Sequence, residues 1–291
     1  MRIVVHGGAM GRPDEPAVRR AALEEAAATG AAAATPLDAV ERALRELEAA
    51  PRFNAGVGSA RQVDGVARTD AGVMTDDRAV GAACAMPGVE HAVSAARVVR
   101  DETPHVLVAG DGAVALADAY GVETGVDLRT DRTRERWADA DPPERVRERV
   151  RWAAERFGRG DGGVDGDATD HDTVGAVATD GEGFAAATST GGRWFALPGR
   201  VGDVPQTGAG FYCAPAGAAS ATGAGEDIAR ATLARRAVGH LEAGRDASTA
   251  AERAVAEFAE LTGSGAGVVV LGADGRGTAH NTPSMQTAAR R

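Results

Sequence analysis

The stretch that decides the fold reads Asp170-His171-Asp172-Thr173-Val174-Gly175-Ala176-Val177. A tract rich in glycine and aspartate runs here directly into an apolar segment that begins at Thr173. The polar tract is too hydrophilic to pack, and it predicts a flexible linker over residues 158–172. The apolar segment predicts a buried strand over 173–179, paired with a second strand over 184–188. Thr173 therefore stands at the junction between a linker and a sheet.

That position suggests chemistry, because a threonine hydroxyl is a good nucleophile only when a base takes its proton. A free N-terminal threonine carries such a base on its α-amino group, whose pKa is about 7.7–8.0. Attack of the Thr173 hydroxyl on the Asp172 carbonyl would give an ester, and hydrolysis of the ester would free that amine. The junction predicts self-cleavage between Asp172 and Thr173, with His171 as a candidate assistant. An ordinary strand start and a solvated linker histidine are the alternatives.

Charged residues downstream are suited to binding an amino acid. Arg200 follows the turn Pro198-Gly199, and its planar guanidinium can take a carboxylate in bidentate fashion. Asp203, three residues on, can take the ammonium group of the same molecule. A local salt bridge between Arg200 and Asp203 is the alternative.

Hydroxyl and glycine residues complete the candidate site. Thr222 and the N–H of Gly223 lie where a predicted strand ends before a helix, a place from which they can face a developing oxyanion. A dinucleotide-type phosphate turn is disfavoured there, because GxGxxG is incomplete and two carboxylates follow. Thr190 can place a second hydroxyl beside Thr173, or it is a simple strand threonine.

Composition excludes several classes of protein. With 291 residues, of which 44% are hydrophobic, the chain can bury a large core. All 32 basic residues are arginine, so a Schiff-base lysine, a Walker lysine and a Ser-Lys dyad are excluded. The net charge of -10 argues against a nucleic-acid partner. An acidic surface without lysine fits either a halophilic protein or a GC-rich genome.

The sequence also suggests a compartment. No stretch approaches the ~20 apolar residues of a membrane span, and the first residues are too short an apolar run for a signal peptide. A cytoplasmic protein with no membrane partner is expected. Cys84 and Cys213 predict two buried free thiols. The histidines show no paired metal spacing, which argues against zinc.

Strands and helices are predicted in separate blocks, which indicates an α+β fold. After an opening strand over 1–9, further strands are predicted over 66–74, 79–86, 106–109, 173–179, 184–188, 207–212, 218–222, 267–271 and 278–281. Helices are predicted over 15–34, 37–49, 91–100, 112–120, 143–157, 226–242 and 247–261.

Taken in order along the chain, these motifs resemble those of the plant-type L-asparaginase / isoaspartyl peptidase family of N-terminal-nucleophile hydrolases. The resemblance rests on His6-Gly7-Gly8-Ala9, Phe53-Asn54-Ala55-Gly56-Val57-Gly58, Thr69-Asp70-Ala71, Thr173-Val174-Gly175-Ala176-Val177, Thr188-Ser189-Thr190-Gly191-Gly192, Leu197-Pro198-Gly199-Arg200-Val201-Gly202-Asp203, Thr222-Gly223-Ala224-Gly225 and Asn281-Thr282. It implies a single domain over 1–291 with a four-layer αββα sandwich, cleaved into an α subunit (1–172) and a β subunit (173–291). Family members are usually homodimers of cleaved αβ units.

The resemblance also implies roles for individual residues. Thr173 would be the nucleophile supported by Thr190, Arg200 and Asp203 would hold the substrate, and the oxyanion hole would be Thr222 and Gly223, with the Gly225 carbonyl facing the ammonium. No cofactor is implied for catalysis. A structural sodium ion is implied on the backbone carbonyls of Leu47, Glu48, Ala50, Phe53, Ala55 and Val57.

Two positions depart from the family pattern. Met10 stands where a further glycine is usual, and Asp172 replaces the glycine that many asparaginases cleave after, which is similar to the glycosylasparaginase branch. The expected activity is hydrolysis of L-asparagine or of β-aspartyl dipeptides, small molecules that enter one site. Glycosylasparaginase activity and a non-catalytic amino-acid-binding protein are the alternatives.

Overall fold

The computed structural model describes residues 1–13, 15–157 and 172–291, which form an α+β structure with two β-sheets. The strands are β1 (Arg2–Met10), β2 (Arg68–Thr75), β3 (Val80–Pro87), β4 (Leu107–Ala109), β5 (Val174–Thr179), β6 (Phe184–Thr190), β7 (Phe211–Ala214), β8 (Gly217–Gly223), β9 (Ala266–Gly272), β10 (Arg276–His280) and β11 (Ser284–Arg290). The helices are α1 (Pro16–Ala31), α2 (Pro36–Ala49), α3 (Ala92–Glu102), α4 (Gly110–Ala119), α5 (Asp131–Ala140), α6 (Val146–Phe157), α7 (Gly225–Ala231), α8 (Leu233–Glu242) and α9 (Ala247–Thr262).

The larger sheet has seven strands in the order β11-β1-β5-β6-β2-β3-β4, and the smaller has four in the order β10-β9-β8-β7. Strand β5 lies between β1 and β6, antiparallel to both, and every one of its residues is buried. A strand with two buried faces reads as a continuous apolar run, which is how Val174–Thr179 appears in the sequence. Thr173 therefore enters the sheet at its middle.

Apolar side chains form three extended clusters in the described residues. One joins helices α1 to α4 to the larger sheet, and a second joins α7, α8 and α9 to the smaller sheet. The third combines side chains of both sheets, among them Val177 and Phe211. The sheets approach closely because Gly72 of β2 has no side chain: a Cβ there would lie 2.0 Å from the Phe211 ring.

Most predicted elements are present, but the single helix expected over 226–242 is wrong. Thr232 takes a left-handed conformation with φ 53° and separates α7 from α8. The first N–H groups of α8 instead donate to the loop before β7, Ala234 N to Ala209 O at 3.1 Å and Arg235 N to Gly208 O at 2.8 Å. These tertiary bonds satisfy helix-terminal donors that a continuous helix would use internally.

One further strand is shifted relative to the sequence prediction, and two elements, α5 and β11, were not predicted. The strand expected over 207–212 is shifted to Phe211–Ala214, because residues before it form hydrogen-bonded turns around Asp203. Helix α5 begins at a Thr130/Thr133 capping box inside a charged segment with too little apolar periodicity to predict a helix. Strand β11 extends the larger sheet by pairing with β1, in the register Val4 to Ala289.

Three other predictions concern the cysteines, membrane spans and the linker. Cys84 and Cys213 are buried and free, as predicted. Among the described helices, none combines the length and the apolarity that crossing a membrane requires. Most of the predicted linker, residues 158–171 with His171, lies outside the described residues. Its last residue, Asp172, is buried with 8% exposure, so the predicted flexibility is wrong at that position.

Candidate active site

The register of two strands brings the predicted nucleophile beside Thr190. Val174 of β5 pairs with Ser189 of β6, so the next residue outward on each strand is Thr173 and Thr190. The Thr173 hydroxyl donates to Thr190 Oγ1 at 3.2 Å, and both residues are buried. Antiparallel pairing alone produces this neighbourhood from residues 17 positions apart in sequence.

A loop from the other half of the chain fixes the position of Thr190. The Asn54 carbonyl accepts a hydrogen bond from Gly191 N at 2.7 Å, and the Asn54 side chain donates to Gly192 O at 2.6 Å. Gly192 N–H donates to Thr190 Oγ1 at 3.2 Å. Gly191 has room only as glycine, because a Cβ there would lie 2.5 Å from Asn54 Oδ1. Asn54 therefore fixes the backbone that follows Thr190 at the end of β6.

The guanidinium of Arg200 is bound by Glu226, at the start of α7. Nε and Nη2 of Arg200 donate to the two carboxylate oxygens of Glu226, each at 2.8 Å. Burial alone would raise the pKa of Glu226, but the hydrogen bonds and the charge of Arg200 lower it to about 2. In the sequence, Glu226 is one of two carboxylates that disfavour a phosphate turn. In the structure it orients the guanidinium of Arg200.

Two buried carboxyl groups lie close to Arg200. Asp203 is 5% exposed, and its Oδ2 has no hydrogen-bond partner. Burial raises the pKa of Asp203 to about 7, although the Arg200 charge opposes the shift. Burial also raises the pKa of Asp70 to about 6, against a hydrogen bond from Ala85 N. An incoming ammonium group would compensate the cost of ionising Asp203.

One cavity, whose volume is about 20 Å³, is shared by Thr173, Thr190, Arg200 and Asp203. The residues that line it are Thr173, Thr190, Gly192, Arg193, Arg200, Gly202, Asp203, Gly223 and Gly225. Six of the predicted site residues are in this set. The space holds about one water molecule, so it is too small for an amino acid in the intact chain.

The end of β8 contributes the remaining predicted residues. Gly223 has φ 140°, and a Cβ there would lie 2.5 Å from Gly265 O, which explains the glycine. A Cβ on Gly225 would lie 2.8 Å from Asp203 Oδ1, so this glycine lets the acid approach. Thr222 is fully buried next to the cavity and accepts a long hydrogen bond from Ala9 N at 3.4 Å. Thr222 is thus adjacent to the cavity and is not part of its lining.

Arg19 of α1 is a residue of this site that sequence reasoning missed. It is 5% exposed, and its Nη1 and Nη2 each donate to one carboxylate oxygen of Asp172 at 3.1 Å. Nothing in the alanine-rich sequence of α1 distinguishes this arginine from its neighbour Arg20. Only the fold shows that it contacts the residue before Thr173.

A buried polar network lies behind β5. His6 Nε2 is 2.8 Å from Ser220 Oγ, which is 2.7 Å from Thr188 Oγ1. Burial lowers the pKa of His6 to about 3, with the Thr173 backbone acting in the opposite direction, so the imidazole is neutral. A Cβ on Gly175 would lie 2.0 Å from Ser220 Oγ, so the glycine after Val174 makes space for the network. The described residues contain no cluster of His, Cys, Asp and Glu suited to a metal ion.

The sequence is similar to those of several known proteins. The sequence pattern of the asparaginase family matches residues 1–291. A plant-type L-asparaginase of Pyrobaculum calidifontis is 40% identical over 97% of this chain and 94% of its own length. A plant-type L-asparaginase of Pyrococcus horikoshii is 35% identical, covering 98% and 95%. An isoaspartyl peptidase/L-asparaginase of Bos taurus is 34% identical, covering 92% and 86%. The chain therefore belongs to the asparaginase family.

Proposed function

We propose that this protein is a self-cleaving threonine amidohydrolase that hydrolyses L-asparagine, β-aspartyl dipeptides, or both. The observation that carries the proposal is the Thr173–Thr190 hydroxyl pair, 3.2 Å apart, in a cavity that also contains Arg200 and Asp203. The relatives with the names L-asparaginase and isoaspartyl peptidase support the substrate class.

Each residue has a role that follows from its chemistry. After cleavage, the free α-amine of Thr173 takes the proton of its own hydroxyl, which attacks the substrate's side-chain amide carbon. The Gly223 N–H and the Thr222 hydroxyl stabilise the oxyanion. Ammonia or an amino acid leaves with a proton, and water hydrolyses the resulting ester to release aspartate. Arg200 and Asp203 bind the α-carboxylate and α-ammonium groups, and the Gly225 carbonyl faces the ammonium.

The small cavity fits a precursor that acquires its binding site by cleavage. Before cleavage the Thr173 nitrogen is an amide, which cannot accept the hydroxyl proton, and about 20 Å³ does not admit asparagine. We infer that cutting the Asp172–Thr173 bond supplies the base and also opens the cavity.

The test combines mass and activity. Intact mass of the purified protein is expected to give two chains, residues 1–172 and 173–291, with release of ammonia from asparagine. Thr173→Ala is expected to abolish both cleavage and turnover, whereas Thr278→Val, an exposed strand threonine, leaves both unchanged. A wild-type chain that stays uncut on long incubation, or a Thr173→Ala variant that still releases ammonia, would contradict the proposal.

Asp172 before the nucleophile favours glycosylasparaginase activity as a second candidate. Preference for a glycosylated asparagine over β-Asp-Leu would establish that activity. Binding of aspartate by the cleaved protein without turnover of any of these substrates would instead indicate a non-catalytic binding protein.

We propose that the loop from Leu47 to Val57 holds a structural sodium ion on the carbonyls of Leu47, Glu48, Ala50, Phe53, Ala55 and Val57. Carbonyl oxygens are suitable ligands for a hard cation. The bare Cα of Gly58 supports the idea, because a Cβ there would lie 2.8 Å from the Phe53 carbonyl oxygen and 2.8 Å from that of Pro51. A higher melting temperature in sodium chloride than in choline chloride at equal ionic strength is the expected result. Equal melting temperatures would argue against the site.

The larger organisation is proposed on the same basis. The cluster shared by both sheets, with helices packed on the outer face of each, supports a four-layer αββα sandwich forming one domain over 1–291. We further propose subunits 1–172 and 173–291, a homodimer of cleaved αβ units, a cytoplasmic location and stability in high salt. Light scattering, and activity measured at low and high salt, test the dimer and the salt response.

A further inference from the structure

Arg19 holds Asp172, the residue before the candidate nucleophile. Both terminal nitrogens of Arg19 bond to the Asp172 carboxylate at 3.1 Å. Nη2 also donates to Gly7 O at 2.8 Å, and Nη1 donates to Arg52 O. The guanidinium lies 4.5 Å from the centre of the Phe53 ring. Arg19 is thus fixed by three separate segments and in turn fixes Asp172.

Stability alone is a poor explanation for such a pair. Removing a carboxylate and a guanidinium from water costs several kcal/mol per ion, and a buried pair of this kind often contributes little net stability compared with apolar residues. What a bidentate pair does provide is orientation, because the planar fork permits few positions of its partner. The side-chain torsions of Asp172 are therefore restricted.

The peptide bond between Asp172 and Thr173 is consequently fixed on both sides. On one side Arg19 holds Asp172, and on the other the β5–β6 register and Thr190 Oγ1 hold Thr173. Because both Asp172 oxygens accept from Arg19, this carboxylate is engaged in the pair and is poorly placed to act as a base for the Thr173 hydroxyl.

We propose that Arg19 is a positioning residue for self-cleavage: by holding the Asp172 side chain, it presents the Asp172 carbonyl carbon to the Thr173 hydroxyl. The inference rests on the proposed function. In the step concerned, Thr173 Oγ bonds to the Asp172 carbonyl carbon, the C–N bond breaks, and the nitrogen receives the proton that the hydroxyl loses. Water then hydrolyses the ester, which leaves a new α-carboxylate on Asp172 and a free α-amine and hydroxyl on Thr173.

A double-mutant cycle tests this role. Uncut precursors of wild type, Arg19→Gln, Asp172→Gly and the double variant are purified promptly, and the appearance of the 173–291 chain is followed by intact mass. Arg19→Gln is expected to slow cleavage about 10²-fold, the effect of a small misplacement of reacting groups. In the Asp172→Gly background the same change should alter the rate by less than about threefold, because no side chain remains to hold.

Two controls separate positioning from folding. Arg97→Gln removes a partly buried arginine that forms ion pairs with Asp38 and Glu41. This variant is expected to cleave at the wild-type rate. If Arg19→Gln does not fold, Asp172→Asn tests the pair from the other side and should slow cleavage similarly.

The outcomes also separate this inference from the proposed function. Equal slowing by Arg19→Gln in both backgrounds would mean a general structural role and would overturn the proposal. So would unchanged cleavage of the Arg19→Gln or Asp172→Asn precursor. Absence of cleavage in the wild type would overturn the proposed function itself.

Discussion

Asp203 has a buried carboxyl group, and burial raises its pKa from 3.8 to about 7. Replacement of Asp203 by asparagine removes this titrating group. Below pH 3.8 this group is protonated in both the folded and the unfolded chain, and it has no effect on their balance. As pH rises from 3.8 to about 7, the unfolded chain loses the proton while the folded chain keeps it. The free energy of unfolding therefore falls over this range, and the loss is complete at about pH 8, one unit above the folded pKa.

The size of the effect follows from the shift. About three pKa units, at 1.36 kcal/mol per unit, correspond to at most about 4 kcal/mol of lost stability at pH 8. Asparagine keeps the shape and removes the titration. Asp203→Asn is thus expected to stabilise the fold at pH 8, with a gain that grows by about 1 kcal/mol from pH 6 to pH 8 and is constant above.

Denaturant unfolding across this pH range measures the gain. Both proteins carry Thr173→Ala, so that both remain uncut and differ only at position 203. Asp274→Asn, in the exposed turn between β9 and β10, is the matched control and should give no pH-dependent gain. Asp203→Asn alone should lose activity, because the substrate's ammonium has no anionic partner. An Asp203→Asn chain that is no more stable at pH 8, or whose gain does not change between pH 6 and pH 8, would refute the reasoning.

Three further substitutions test the geometry of the site. Thr190→Val should lower kcat about 10²-fold, because the hydroxyl 3.2 Å from Thr173 Oγ1 is lost, and an unchanged kcat would exclude a role in proton transfer or orientation. Gly225→Ala should raise KM about tenfold or more, because the added Cβ would lie 2.8 Å from Asp203 Oδ1. Its control, Gly239→Ala in α8, adds a Cβ whose nearest neighbouring atom is 3.4 Å away, and it should leave KM unchanged. Gly56→Ala places a Cβ 2.2 Å from Glu48 O, at φ +52°. It should lower the free energy of unfolding by more than Gly121→Ala, where φ is +79°, the space is open and strain alone costs roughly 1–3 kcal/mol. Equal losses of thermal stability in the two variants would contradict the clash.

Local signals account for the parts of the site that could be read in advance. Val174–Thr179 is predictable because a short run of small apolar residues after a polar tract favours a buried strand over a helix, which needs a longer segment. Arg200 and Asp203 lie on one short turn, so their proximity is given by three residues of sequence. Helix α5 could not be predicted, because it begins at a capping box in a charged segment without apolar periodicity. The break at Thr232 could not be predicted, because it depends on hydrogen bonds between α8 and a loop that is distant in sequence.

The sequence by itself determined the family and the α+β class, and it singled out Thr173 as the candidate nucleophile, because these depend on residue order and on short-range patterns. The tertiary structure decided which groups meet at Thr173. Thr190 comes beside it through antiparallel register, Glu226 takes Arg200 from across a loop, and Arg19 takes Asp172 from 153 positions away. Such pairs depend on the packing of separate segments, because only the fold brings the two partners of each pair together.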